Sequence, residues 1–222
     1  KGMLQYLSPE RIWQEFEKAF SVGNFCGFVE IMRQIGALQK IIPEIDKLFD
    51  VDEYVKYHPE GNTGKHTLNA LRFVKNEPTI VQFAVLVHDI GKGLTPVKEW
   101  PAHKGHEIRG VDLIKNIARR LKIPNKIRDL AVLCSKLHMK YYYIPDMRIG
   151  SLYNLVSELT VGHINYVEEY IKVCRADFES TNSEDKQFAR ERFEISADLL
   201  RKASKIINNI KNFFQPVSNP VF

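Results

Sequence analysis

No stretch of this sequence stays apolar long enough to cross a bilayer. The longest such run, around residues 81–87, falls far short of the ~20 residues a membrane helix needs. Cysteine is scarce as well. The three thiols, Cys26, Cys134 and Cys174, are odd in number and far apart, which excludes a disulfide scaffold and fits reduced core thiols in a cytoplasmic protein. Neither sign of charge dominates, since 32 Lys and Arg stand against 27 Asp and Glu for a net +5. With 44% hydrophobic and 27% charged residues, the chain is neither disordered nor collagen-like. The opening residues Lys1-Gly2-Met3-Leu4 carry no secretory-signal pattern. Strand-like alternation and solenoid repeats are missing too.

What is present is helical periodicity along 222 residues, enough to bury a sizeable core without staples. Ser8-Pro9 reads as a cap and first turn, followed by an apolar face of Ile12, Phe16, Ala19 and Phe20. Asn24 opens a second helix carrying Phe28, Ile31, Met32 and Ile35, stopped by Gly36. Leu38, Ile41 and Ile42 form a third segment, disturbed by Pro43. Residues 50–62 hold Asp, Pro, Gly and Asn without a clean period and read as a connection.

Beyond that connection, Thr63 and Thr79 are expected to cap helices that carry His66 and His88 on their apolar faces. Further helices are expected over 104–121, from Asn125 to His138, over 148–159, over 164–180 and over 184–214. The chain is therefore expected to be all-α. Its parts are a neck- or body-like segment at 1–57, a main domain at 58–180 and a C-terminal helical segment at 181–222.

The seven histidines are the chemically informative residues. In Val85-Leu86-Val87-His88-Asp89-Ile90, an apolar helix delivers an imidazole and a carboxylate to its end. Burying both is costly unless a cation or a local hydrogen bond compensates. His66 lies on the inward face of the preceding helix, and Asp177 on a distant stripe of Val167, Ile171, Cys174 and Phe178. His66, His88, Asp89 and Asp177 make a mixed N/O ligand set for one octahedral Mn, Fe, Co, Ni or Mg ion with positions left for water and substrate. The basic residues Arg119, Arg120, Lys122, Lys126 and Arg128 suggest an RNA-facing surface, against the alternative of a solvated helix face. Tyr141-Tyr142-Tyr143 cannot share one face, so at least one belongs to the core.

The order His66, His88-Asp89, Asp177 resembles that of the HD superfamily of metal-dependent phosphohydrolases. Longer words are more specific: His58-Pro59-Glu60, Thr63-Gly64-Lys65-His66-Thr67-Leu68, residues 88–96, Trp100-Pro101, Gly105-His106 and residues 120–125. Together with Gly36-Ala37-Leu38 and Ile42-Pro43-Glu44-Ile45, they resemble the C-terminal part of bacterial CCA-adding tRNA nucleotidyltransferases. The likeness runs from about Ser8 to Asp177 and fades past Glu179. One departure matters. The Gly-rich start and paired Asp residues of the nucleotidyl-transferring head are not found in this sequence, so nucleotide addition is not expected of it as given.

The resemblance implies an HD-domain helical bundle with a small N-terminal helical extension and a divalent metal cofactor, Ni²⁺, Mn²⁺, Co²⁺ or Mg²⁺. It implies 2′,3′-cyclic phosphodiesterase, 2′-nucleotidase and phosphatase activity within a tRNA 3′-end maturation enzyme. The implied partners are tRNA or a nucleotide phosphate and an N-terminal head absent from this sequence. No membrane partner is expected, and a homodimer stays open. Asp89 would orient water, while Lys92 and His106 would steady the phosphate. His106 and His138 would either hold a second ion bridged by Asp89 or orient phosphate about a single ion, with the single ion slightly favoured. His103 is expected to contact phosphate or face solvent rather than ligate. Two alternatives stand beside this reading: a non-catalytic tRNA-binding tail module, and a free-standing HD nucleotidase.

Overall fold

In the computed structural model, which describes residues 7–182 and 186–213, the chain is built almost wholly of helices. α1 (Pro9–Ser21) begins as its sequence suggests, with the Ser8 side chain accepting from the Arg11 amide and proline in the first turn. α2 (Phe25–Gln34) follows, then the short α3 (Leu38–Ile41) and α4 (Pro43–Lys47). Pro43 starts a helix here rather than merely ending one. The buried face of α2 is Phe25, Val29 and Met32, whereas Ile31 and Ile35 face solvent. The helix offers two apolar stripes, and packing against α1 and α5 selects the one the period alone does not identify.

The main bundle comprises α5 (Thr63–Phe73), α6 (Thr79–Val87), α7 (His106–Arg120), α8 (Asn125–Leu137), α9 (Ile149–Glu158) and α10 (Val167–Ser180). α6 is its axis. Every residue from Val81 to Val87 is buried, and α5, α8 and α10 pack around it. A helix apolar on all sides belongs in the interior. α7 lies against α8, and α11 (Lys186–Phe213) closes the bundle over α9, α10 and the segment after α8. One continuous apolar core runs from Trp13 to Ile207. No helix among the described residues is long and apolar enough to cross a membrane.

Several local expectations are corrected. The cap of α5 is Asn62, whose side chain accepts from the Lys65 amide, and α6 is preceded by Pro78 rather than capped by Thr79. α10 starts at Val167, because residues 160–165 form a two-residue hairpin, β1 (Thr160–Val161) with β2 (Ile164–Asn165), turned at Gly162 with φ +60°. Strands this short leave no alternation to detect. The expected C-terminal helix at 184–214 begins at Lys186, and residues 184, 185 and 214 onward lie outside the described part, as do residues 1–6.

Candidate metal centre

α6 ends at Val87, and the chain passes through His88 and Asp89 into a 3-10 turn, Ile90–Leu94. This turn lies against the start of α7 closely enough that a Cβ on Gly91 would collide with the His106 carbonyl and the Gly110 amide. Glycine at 91 therefore lets His106 approach Asp89. α5 brings His66, α10 brings Asp177, and His138 follows directly on α8. Six side chains from five parts of the sequence meet in one buried place.

They meet as two triads. In the first, Asp177 Oδ1 lies 3.0 Å from His66 Nε2 and 3.6 Å from His88 Nε2. In the second, Asp89 Oδ1 lies 3.1 Å from His106 Nε2 and 3.5 Å from His138 Nε2, with the two imidazole nitrogens 3.2 Å apart. Asp89 Oδ2 turns back to within 3.4 Å of His88 Nε2, so one carboxylate touches both groups.

The imidazole protons are already committed elsewhere. His88 Nδ1 donates to the Val85 carbonyl (2.7 Å), His106 Nδ1 to that of His103 (2.9 Å), and His138 Nδ1 to that of Ser135 (2.9 Å). His66 Nδ1 lies 3.2 Å from Glu60 Oε1, which can only accept from it when ionised. In each ring the Nε2 lone pair is thereby aimed inward at carboxylate oxygens. Such an approach repels unless a positive charge lies between, and His88 Nε2 and Asp89 Oδ1 are buried without a hydrogen-bond partner. Two imidazoles and a carboxylate per group suit a divalent metal. The donor set fits the implied cofactor.

The carboxylates favour positive charge at this place, carried by the imidazoles themselves where no ion is held. Burial opposes charge on His88, yet Asp89 and Asp177 raise its pKa well above the ordinary value. Burial alone would raise Asp177, but the imidazoles of His66 and His88 hold it well below the usual carboxylate range. Asp89 is likewise lowered against burial by Lys92 and His88.

All four residues of the expected single-ion set are brought together, but Asp89 belongs as much with His106 and His138 as with the other three. Lys92 does not stand free to meet phosphate. Its ammonium lies 2.8 Å from Asp89 Oδ2 and 2.7 Å from Glu53 Oε1, and Glu53 also accepts from Thr63 Oγ1 (2.8 Å). His103 does not face solvent, although it belongs to the lining of the cavity above the centre. It is buried at φ +45°, donates from Nε2 to the Asp52 carbonyl (2.8 Å), and supports the centre through its own carbonyl on His106. Glu53 and Glu60 were not singled out by the sequence. A third group of His58, Glu60 and His66 is also compact, but it uses the same His66 Nδ1 that Glu60 engages, so it orients a ligand rather than forming a separate site.

A cavity of about 350 Å³ opens over the centre, floored by Asp89, His106, His138 and Asp177. Its rim carries the half-exposed rings of Tyr54, Tyr57 and Tyr142, the last with its hydroxyl 3.4 Å from Asp177 Oδ2. Tyr141 is core, as one of the three adjacent tyrosines had to be. The basic residues separate into two kinds. Arg120 is held by Glu44 and Arg128 by Asp129, whereas Arg119, Lys122 and Lys126 are exposed without ion pairs among the described residues.

A helical bundle that gathers His, His-Asp, His, His and Asp around one buried point defines a protein of the HD type. The HD domain family model matches residues 63–177, just over half of the chain, and the chain belongs to that family. Residues 2–49 match a second model, described as the probable RNA and SrmB-binding site of polymerase A. The chain is similar to the "Multifunctional CCA protein" of Legionella pneumophila (strain Paris), 39% identical over 183 residues. That alignment covers 81% of this chain and 45% of the relative, so the chain spans under half the length of that curated protein.

Proposed function

We propose that this chain is a metal-dependent phosphohydrolase domain forming the C-terminal portion of a CCA-adding tRNA enzyme, and that it acts on nucleotide phosphoesters, 2′,3′-cyclic phosphates foremost. The observation that carries the reading is the pair of His/His/Asp triads joined through Asp89, with the Nδ1 protons of His88, His106 and His138 donated to main-chain carbonyls away from the centre. His66, His88 and Asp177 would hold one divalent ion, and Asp89, His106 and His138 a second. Bound there, such ions supply Lewis-acid stabilisation of phosphate oxygens and a lowered pKa for attacking water.

The chain's own residues do the rest. Asp89, with both oxygens committed to the two groups, fixes their separation and can orient water through a lone pair. Lys92, clamped by Glu53, keeps Asp89 ionised and in place rather than reaching for phosphate. In the hydrolysis, a water oxygen bonds to phosphorus as the bond to one ribose oxygen breaks, and that oxygen takes up a proton. The Tyr54, Tyr57 and Tyr142 rings at the rim offer flat apolar surface to a base. A cavity of about 350 Å³ is of the size of small-ligand sites.

The test is hydrolysis of 2′,3′-cyclic AMP by protein stripped with chelator and reloaded in turn with Ni²⁺, Mn²⁺, Co²⁺ and Mg²⁺. Activity should vanish on stripping, return with at least one ion, and be lost in His88→Ala and Asp89→Ala. Activity that survives stripping, or survives in those variants, overturns the assignment.

A further inference from the structure

Residues 53–61 form a loop that leaves the bundle and rejoins it at nearly one place. Its neck is closed by the Asp52–Asn62 bridge, with the Glu53 amide donating to the Gly61 carbonyl (3.1 Å) and the Thr63 amide to that of Val51 (2.9 Å). Compact loops of this kind, with their ends close together, are often functional. The neck is buried at Val51, Glu53 and Thr63, but the tip is not: Tyr54, Val55 and Tyr57 are 50%, 68% and 47% exposed. The apolar core therefore does little to hold the tip. Yet Tyr54, Tyr57 and His58 wall the cavity above the metal centre.

What holds the tip is polar, and it leads to the candidate ligands. Glu53 Oε1, where the loop begins, accepts from Lys92 (2.7 Å), whose ammonium also lies 2.8 Å from Asp89 Oδ2. Glu60 Oε1, near where it ends, accepts from His66 Nδ1 (3.2 Å). The two carboxylates thus divide the centre between them. Glu60 reaches the group of His66, His88 and Asp177, and Glu53, through Lys92, the group of Asp89, His106 and His138. A third tie runs from the Asn182 amide, just past the helix that carries Asp177, to the Tyr57 carbonyl (2.8 Å).

Both carboxylate ties respond to charge at the centre. A divalent ion on His66 Nε2 draws electron density from the ring, which makes Nδ1–H a stronger donor to Glu60. An ion on Asp89 Oδ1 takes a share of that carboxylate's charge, so the Lys92 ammonium turns more of its attraction to Glu53. Ions therefore favour the closed loop over the open one, and they shift that equilibrium by their difference in affinity for the two. By linkage, the closed loop holds the ions more tightly by the same factor.

We propose that residues 53–61 are a lid whose closure is set by metal occupancy, with Glu53 and Glu60 as the positioning residues that couple it to the two ion groups. Closure holds Tyr54 and Tyr57 over the cavity, so the ions bind before the nucleotide and complete its site. The proposal rests on the proposed reading of the centre as a metal site, but not on the hydrolysis of any ester.

The experiment is limited trypsin digestion of the full chain, read by mass spectrometry. Lys56-Tyr57 is a cleavage site at the exposed tip, and Lys122-Ile123, in the turn between α7 and α8, serves as the internal control. Chelator-stripped protein is compared with protein saturated with Mn²⁺, its loading checked by elemental analysis. Mn²⁺ should slow the cut after Lys56 about tenfold or more and leave the cut after Lys122 unchanged. Glu60→Ala and Glu53→Gln, each loaded to the parent's metal content, should lose most of that protection. Hydrogen exchange of the amides at 54–58 in the parent chain, with and without Mn²⁺, gives the same reading without a variant. Bound Mn²⁺ with no change at Lys56 or in exchange overturns the lid and leaves the metal centre standing. A chain that binds no Mn²⁺ overturns both. Full protection in the loaded Glu60→Ala and Glu53→Gln variants overturns the coupling assigned to the two carboxylates.

Discussion

Asp89 Oδ1 lies 3.1 Å from His106 Nε2, although His106 has already given its other ring nitrogen's proton to the His103 carbonyl. Two lone pairs thus face one another in a buried place, and the same arrangement recurs between His138 and Asp89. Met twice on one carboxylate oxygen, the pattern is what a cation-binding centre requires and an apolar core would exclude.

Glu60 is expected to set which nitrogen of His66 faces the centre. Glu60→Gln removes the carboxylate that accepts from Nδ1 while keeping the size of the side chain. Metal affinity measured by calorimetry should fall about 10- to 100-fold, as for other carboxylates behind ligating imidazoles, with the fold retained by circular dichroism. An unchanged affinity would reduce Glu60 to a loop residue.

Lys92 is expected to matter for stability as much as for chemistry. Lys92→Met leaves Glu53 and Asp89 buried without their shared cation, and should cost about 3–5 kcal/mol in urea unfolding of chelator-treated protein. Adding Glu53→Gln should return part of that loss, a coupling that a double-mutant cycle reads directly. Additive effects would mean that the pair does not interact.

Gly91 tests the close approach of the turn after α6 to α7. In Gly91→Ala the new methyl meets the His106 carbonyl and the Gly110 amide, both main chain, so the elements must part. Urea unfolding should show a loss of about 3 kcal/mol. Metal held by Asp89, His106 and His138 should weaken more than metal held by His66, His88 and Asp177. Equal weakening would mean that the displacement spreads through the whole centre.

The thiols offer a check on the core. Burial pushes the Cys134 and Cys174 thiols up, and Cys26 is raised more mildly with its Sγ near the Leu68 carbonyl. A thiol reagent at pH 8 should therefore leave Cys134 and Cys174 unmodified until the protein unfolds, read by mass spectrometry. Rapid native labelling of Cys134 would contradict the packing around α8.

The helical class and the four residues His66, His88, Asp89 and Asp177 were legible because His66 and Asp177 interrupt apolar helical stripes and His88-Asp89 ends an apolar run. His106 and His138 stand at helix ends, where histidine is unremarkable, and only the family resemblance marked them. Glu53 and Glu60 lie in the aperiodic segment 50–62, whose path depends on the Asp52–Asn62 bridge and on Gly61 at φ +87°. No local spacing reports a path of that kind. The burial of His103 is hidden for a related reason: it goes with a backbone angle, φ +45°, that is uncommon for a residue with a side chain. The hydrogen bond that His66 Nδ1 donates to Glu60 spans six residues, a distance that neither helical nor strand periodicity marks.

The most direct measurement is the number of metal ions bound per chain, by calorimetric titration of Mn²⁺ into chelator-stripped protein with elemental analysis of the product. Two ions are expected for the parent chain. His106→Ala should keep only the ion at His66, His88 and Asp177, and Asp177→Ala only the ion at Asp89, His106 and His138. A parent chain that binds no ion, or a single ion unaffected by His106→Ala, would contradict the two-ion centre.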